Sequence, residues 1–248
     1  MPDGGVQIDL VAVGRSYGAG GARLTAQKKC DLRIGAGDLL AIVGPSGSGK
    51  STLLQLIGLL DQPSEGRILF EGQDVAGRDD RARTRTRLHE IGFVFQRFHL
   101  LMGLTAPGNV AIPMAAAGIN ASDRHARAAI LLDRVGLGDR LLAMPAQLTG
   151  GQRQRVAIAR ALANGARLIL ADEPTGALHS EDKAGVIALL QDLHSEGRTV
   201  VVVTHDAGVA SICTRRLEIR DGTVTEVLTA ISELGPSVSS SLPGMARQ

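Results

Sequence analysis

The segment Gly44-Pro45-Ser46-Gly47-Ser48-Gly49-Lys50-Ser51-Thr52 constrains the fold more than any other stretch of the chain. The apolar run Leu39–Val43 leads into it at strand length, and Leu53, Leu54, Leu56 and Ile57 follow at helical spacing. Strand, glycine-rich turn and helix in that order describe a phosphate-binding loop. The glycines let successive backbone N–H groups face one centre, and the helix adds the partial positive charge of its N-terminus. In this pattern Lys50 reaches the β- and γ-phosphates and Ser51 ligates Mg²⁺. An empty glycine-serine turn would account for the glycines, but not for the strand, lysine and hydroxyl in register with them. The loop alone does not say which nucleoside triphosphate reaction follows.

With 248 residues, 44% apolar and 21% charged, the chain can bury one large α/β core or two small ones and reads as a soluble globular protein. No apolar run approaches the roughly 20 residues that span a bilayer. The N-terminus lacks a basic segment followed by an apolar one, so the expectation is a cytoplasmic protein unless a partner holds it at a membrane. A net charge of +2 gives no argument for a nucleic-acid partner. Cys30 and Cys213 have no metal-like spacing and read as structural thiols in a reduced compartment.

Val6, Ile8 and Leu10 alternate with polar residues, and a second extended stretch runs to about Ile34 through a turn at Gly18–Gly21, which predicts an antiparallel pair. Arg67–Phe70 pairs through a turn at Glu71-Gly72. Arg78, Arg81, Arg83, Arg85 and Arg87 read as the solvated face of a polar helix, since no aromatic residues interleave for base stacking. Ile91–Phe95 is a buried strand ending at Gln96. From Leu100 to about Arg160 strand signals vanish, with Ser122 as an N-cap and Gly136 as the C′ residue around Asp123–Val135. Strand and helix then alternate again through Leu168–Ala171, Glu181–Glu196 and Thr199–Val203. Asp221-Gly222 between two short β patterns signals a hairpin. Residues 231–248 read as a loose tail.

Leu168–Ala171 delivers Asp172 and Glu173 at its C-terminal end, where open α/β sheets place ligands. Asp172 would hold Mg²⁺ through water, and Glu173 would orient or deprotonate the attacking water. Val200–Val203 brings His205 to the same edge, where an imidazole can donate to phosphate oxygens that gain charge in the transition state. Leu148-Thr149-Gly150-Gly151-Gln152 precedes a helix predicted over Gln154–Ala163. The glycine N–H groups and the Thr149 hydroxyl there make a second ready anion site. One nucleotide has no need of two such sites, which points to a second subunit's nucleotide.

Taken together, Gly44–Thr52, Gln96, Leu148–Gln152 with Arg153–Arg160, Leu170–Glu173 and His205 resemble the nucleotide-binding domain of an ABC transporter, over about Val6 to Val227. Ile91–Leu101, Leu104-Thr105, Asn109-Val110 and Ala171–Gly176 are similar to the branch handling lipoprotein release, macrolide export and antimicrobial-peptide resistance. The resemblance implies a P-loop NTPase of ABC type, α/β, with a mostly parallel core sheet, an antiparallel β subdomain and a helical subdomain inserted at about 97–160. It implies ATP and Mg²⁺ as ligands, bound between Gly44–Ser51 of one subunit and Thr149–Gly151 of a second ATPase subunit, a homodimer in the complex. Tyr17 matches the position that stacks on adenine, although an isolated tyrosine between strands can equally be packing. Gln96 would sense Mg²⁺ and the γ-phosphate, and the helical insertion would contact a transmembrane permease on the cytoplasmic face of the membrane. The arginine window would then lie near lipid headgroups.

In two places the sequence departs from the family pattern. His179 follows Ala177-Leu178 where the family has an acid at the dimer interface, and Thr149 replaces the usual serine while keeping the hydroxyl. The function implied is ATP hydrolysis driving export or extraction. A regulatory ATPase that signals its nucleotide state to a membrane protein is the second reading. A chromosome or DNA-repair ATPase is disfavoured because no long coiled coil or zinc-ligand insertion interrupts the chain.

Overall fold

A computed structural model describes residues 6–18, 24–75 and 77–227. The tail expected at 231–248 and most of the turn expected at Gly18–Gly21 lie outside the described residues.

Two long strands, β1 (Val6–Tyr17) and β2 (Leu24–Gly35), pair antiparallel. Ile8, Leu10 and Val13 of β1 are buried, while Asp9 pairs with exposed Arg33 at 3.5 Å. After β3 (Leu39–Val43) and α1 (Lys50–Ile57) come β4 (Glu65–Phe70) and β5 (Gln73–Asp74). They complete a four-stranded antiparallel sheet in the order β2-β1-β4-β5. The turn between β4 and β5 uses Glu71 and Gly72, both at positive φ.

The larger sheet carries the site. Helix α2 (Asp80–Glu90) precedes β6 (Ile91–Phe95), and three helices follow: α3 (Ala106–Ala116), α4 (Ala121–Arg134) and α5 (Gly150–Ala161). Then come β7 (Leu168–Asp172), α6 (Ser180–Ser195), β8 (Thr199–Val203), α7 (Ala207–Ser211), β9 (Arg215–Arg220) and β10 (Thr223–Val227). The sheet order is β10-β9-β3-β8-β7-β6, with every pair parallel except the hairpin β9-β10. Asp221 and Gly222 turn that hairpin at φ 47° and 72°, the positive values a two-residue turn demands.

Alternation along the central strands separates two apolar cores. Leu39, Ala41, Val200, Val202, Ile169 and Ala171 face the layer containing α3 to α7. Leu40, Ile42, Val201, Val203, Leu168 and Leu170 face α1 and the antiparallel sheet. Strands buried on both faces read as near-continuous apolar runs of leucine, valine, isoleucine and alanine, as parallel sheets require.

Boundaries moved where capping decided them. Asn120, not Ser122, caps the fourth helix, because its Oδ1 accepts the Asp123 N–H at 3.0 Å and the alanine and serine between them are already helical. Gly136 does terminate that segment, at φ 72°. The helix expected to begin at Gln154 begins four residues earlier, since Gly150 and Gly151 are wound into its first turn. The arginine window is helical as expected, but Arg83 turns inward, nearly buried and paired with Asp80 at 2.9 Å.

Candidate functional site

The parallel register aligns the strand ends. Phe95 lies opposite Asp172, and Asp172 opposite Val203, while Val203 in turn sits beside Ile42 of β3. The residues just beyond those positions are Gln96, Glu173, Thr204-His205 and the loop starting at Gly44, so four segments distant in sequence emerge side by side. A cleft there is lined by Ser46, Gly47, Gly49, Lys50, Ser51 and Thr52 together with Gln96, Asp172, Glu173 and His205.

Two glycines in the loop are dictated by close backbone neighbours as well as by φ. Gly44 has φ 151° and a Cβ would overlap the Ile219 carbonyl, while Gly49 has φ 107° and a Cβ would sit 2.5 Å from the Ala26 carbonyl. Gly49 stands at the N-cap of α1 and offers no side chain, and the first turn holds no acid. The positive end of this helix is therefore left for a ligand. Lys50 Nζ folds back onto the carbonyls of Gly44 (3.0 Å) and Pro45 (2.8 Å). The Ser48 hydroxyl is buried with no hydrogen-bond partner. An orphaned hydroxyl, a lysine and an uncapped helix terminus in one loop fit a bound polyphosphate.

Across the cleft, burial pushes the Asp172 carboxyl above its ordinary value. The neighbouring Glu173 charge adds to the rise, and the Ser51 hydroxyl and Lys50 oppose it. A hydroxyl and a half-buried carboxylate side by side are a donor set suited to a hard divalent cation such as Mg²⁺. Glu173 takes φ 47°, a left-handed backbone uncommon for a non-glycine residue. Its Oε1 meets His205 Nδ1 at 2.8 Å. The Glu173 side chain is 15% exposed and the imidazole 71% exposed, so the carboxylate is sheltered and the histidine faces solvent. Gln96 packs over Gly176, where a Cβ would lie 2.8 Å from its Nε2.

The loop after Gln96 is held by the fifth helix. Phe98 and His99 have φ of 60° and 48°, and Arg160 donates to both their carbonyls, at 2.8 and 2.5 Å. Burial lowers the Arg160 pKa below its usual value. Arg153 adds a cation–π contact with its guanidinium 5.2 Å from the centre of the Phe98 ring.

Thr149 caps α5 and Gly150, Gly151 and Gln152 form its first turn, with the N–H groups of Thr149, Gly151 and Gln152 already engaged. Thr149 Oγ1 accepts from the Gln152 N–H at 3.2 Å, and Gln152 Oε1 accepts from the Thr149 N–H at 3.0 Å, a reciprocal capping box. Gly151 N–H donates to Asp182 Oδ2 at 3.1 Å. His179 is exposed at the N-cap of α6 and makes no capping bond with its side chain. Tyr17 is absent from the lining of the cleft: its hydroxyl donates to Asp61 Oδ2 at 2.7 Å, and the Arg15 guanidinium covers one ring face at 4.5 Å. Sequence reasoning missed the opposite wall, made by Leu24, Thr25, Ala26, Asp221 and Gly222. Buried Gln27 bonds to the Gly222 carbonyl at 3.0 Å, and Gly222 N–H reaches the Ser48 carbonyl at 2.9 Å, which fixes the hairpin against the phosphate loop.

A phosphate loop after β3, with acids at the tip of β7 two positions along the sheet and β8 between them, defines a P-loop nucleotide-binding fold. A family model described as ABC transporter matches residues 27–176, and the chain belongs to that family. A macrolide export ATP-binding/permease protein of Aeromonas hydrophila is 52% identical over 219 residues, covering 88% of this chain and 34% of that protein. A pyoverdine export ATP-binding/permease protein of Pseudomonas savastanoi is 52% identical over 220 residues, covering 88% and 33%. The chain thus spans about a third of the length of these curated relatives. A dimeric ATP-binding cassette solved in a post-hydrolysis state with ADP and phosphate superposes with a TM-score of 0.81 at 41% identity, covering 88% of this chain and 98% of the other.

Proposed function

We propose that this chain binds ATP with Mg²⁺ and hydrolyses it as one half of a head-to-tail pair, driving export or extraction of a substrate through a transmembrane permease at the cytoplasmic face of a membrane. The observation that carries this reading is the convergence of Gln96, Asp172, Glu173 and His205 on one side of the Gly44–Thr52 loop. The names of the export relatives and the post-hydrolysis ADP and phosphate of the solved cassette support it.

Ser51, Asp172 and Gln96 would hold Mg²⁺, which when bound neutralises charge on the β- and γ-phosphate oxygens. The loop N–H groups and α1 terminus orient the triphosphate, and Lys50 leaves the Gly44 and Pro45 carbonyls for phosphate oxygens. Tyr17 offers adenine the ring face that Arg15 leaves open. Glu173 takes a proton from a water whose oxygen bonds to the γ-phosphorus as the bond from that phosphorus to the bridging oxygen breaks; ADP leaves with the bridging oxygen, and phosphate is released. His205 fixes the Glu173 rotamer through Nδ1 and keeps Nε2 for the γ-phosphate. Thr149–Gly151 would take the γ-phosphate held by the second subunit, so that ATP binding closes the pair and hydrolysis reopens it.

Glu173→Gln keeps the side-chain shape and removes the base. The expected outcome is ATP binding at parental affinity, ATP-dependent dimers that persist, and hydrolysis reduced at least about 10²-fold. Hydrolysis at the parental rate would remove Glu173 from the role of base.

A further inference from the structure

The two helix termini assigned to phosphate differ in what already occupies them. Helix α1 begins at Gly49 with no capping side chain and no acid in its first turn. Helix α5 begins with every side-chain acceptor in place: the Thr149–Gln152 box closes two N–H groups, and Asp182 takes the Gly151 N–H at 3.1 Å. Asp182 belongs to the first turn of α6, three residues beyond His179. Its carboxylate lies directly on Gly151, since a Cβ on that glycine would overlap Asp182 Oδ1. Among the described residues it forms no ion pair, because the adjacent Lys183 is engaged by Asp206 at 2.8 Å. The N-terminus of its own helix α6 and that of α5 are what compensate its charge.

We propose that Asp182 is a resident counter-anion of the α5 N-terminus, which the partner subunit's nucleotide must displace before the dimer closes. This rests on the assignment of Thr149–Gly151 to the second subunit's γ-phosphate. A phosphate brought to the same N–H groups meets a carboxylate that already holds one of them, and two anions sharing one set of donors repel each other. Closure therefore requires Asp182 to swing off Gly151 about its own side-chain bonds. Residence of the carboxylate favours the open pair, and its departure is part of what ATP must drive. Asp182 acts here as a positioning residue that sets the ATP demand of closure, and it takes no part in the chemistry of the bound water.

The experiment uses the full chain with Glu173→Gln, so that closed dimers accumulate, and measures ATP-dependent dimerisation by sedimentation velocity over a range of protein concentrations. Asp182→Asn keeps the shape and an acceptor oxygen but removes the charge, whereas Asp182→Ala removes both. Thr149→Arg, which blocks the α5 terminus, serves as the control for the shared site. The expected result is that both Asp182 variants dimerise at roughly tenfold lower protein concentration than the Glu173→Gln parent, within the range of ordinary coupling between sites, while the Thr149→Arg chain stays monomeric. A purely structural hold between α5 and α6 predicts the opposite pattern, with Asn matching the parent and Ala dimerising less well. Either that pattern or unchanged dimerisation in both variants overturns the inference while leaving the shared site intact. If the parent does not dimerise with ATP, or if Thr149→Arg has no effect on it, the shared-site assignment falls and takes the inference with it.

Discussion

At the scale of single residues, the Glu173–His205 pair concentrates what the site asks of its neighbours. A carboxylate at positive φ, 2.8 Å from an imidazole that is itself mostly exposed, is held from one side only. His205→Ala removes the imidazole's hold on the carboxylate, leaving only the long 3.4 Å bond from the backbone N–H of residue 205, and deletes a donor to the γ-phosphate. It should lower kcat by about 10²-fold or more with little change in KM for ATP, because the interaction is made chiefly in the transition state. Steady-state kinetics separate that outcome from lost binding, which would raise KM with kcat preserved. Both residues were legible in the sequence, because each follows an apolar run that can only be a buried strand. The backbone strain at Glu173 and the retraction of Lys50 were not legible, since they depend on carbonyls that only the folded loop brings near. The two thiols illustrate the same divide. Their number argued for structural cysteines, but burial is what pushes Cys30 up to about 11 and Cys213 up to about 12. A raised thiol pKa keeps the proton on, so at pH 8 the folded chain holds far less thiolate than the unfolded one. Alkylation by iodoacetamide should be slower on the order of 10² to 10³-fold than in denaturant, read by mass spectrometry of the adducts.

Among the elements, the helical stretch between Phe95 and Leu168 was the part least specified by pattern. Its existence followed from missing strand signals, but the route of the chain into it did not. Asn109 settles that route. It is fully buried in α3, accepts the Leu101 N–H at 2.7 Å, and donates to the carbonyls of Leu101, Leu104 and Thr105, each at 3.1 Å. A single amide thus supplies the partners that an irregular loop cannot find within itself. Asn109→Ala would leave the Leu101 N–H and the Leu104 carbonyl without partners, while the carbonyls of Leu101 and Thr105 keep the N–H groups of residues 104 and 109, and should cost about 2–3 kcal/mol, lowering the melting temperature by roughly 5–10 °C in a domain of this size. Calorimetry measures the loss, and an unchanged melting temperature would mean water replaces the amide. Nothing in a one-dimensional pattern distinguishes such an asparagine from a surface one, because three of the four groups it bonds belong to Leu101 and Leu104 in the preceding loop rather than to residues at helical spacing. The early start of α5 was hidden for a related reason: two glycines depress helix propensity, and the capping box and Asp182 outweigh it.

The whole molecule adds a surface that neither the residues nor the elements specify alone. Among the described residues no helix is long and apolar enough to cross a membrane, and the transport role proposed above would need a face on which a permease docks. On the far side of the Gln96 loop lies an open groove of about 530 Å³ whose lining includes Leu60, Leu88, Phe93, Phe95, Leu101 and Ile112. It is assembled from α2, β6, α3, the loop between them and the end of α5, which is why the sequence could assign the contact only to the helical insertion as a whole. Leu101 in its lining and the next residue, Met102, are both more than half exposed, so apolar side chains continue from the groove onto the open surface. Arg160 joins the groove to the site. It lines the groove and holds the carbonyls of Phe98 and His99, two and three residues beyond Gln96. A cytoplasmic segment of the permease seated in the groove would therefore press on the segment that carries Gln96. Leu101→Asp places a charge at the groove edge without burying it, so the fold, basal hydrolysis and ATP-dependent dimerisation should stay at parental levels. In membranes reconstituted with the permease, the same substitution should abolish co-purification of the two chains and the partner's stimulation of hydrolysis, since an unpaired carboxylate must be desolvated for the apolar segment to seat. Retention of both would place the permease on a different face of the molecule, and the coupling through Arg160 would then have no input.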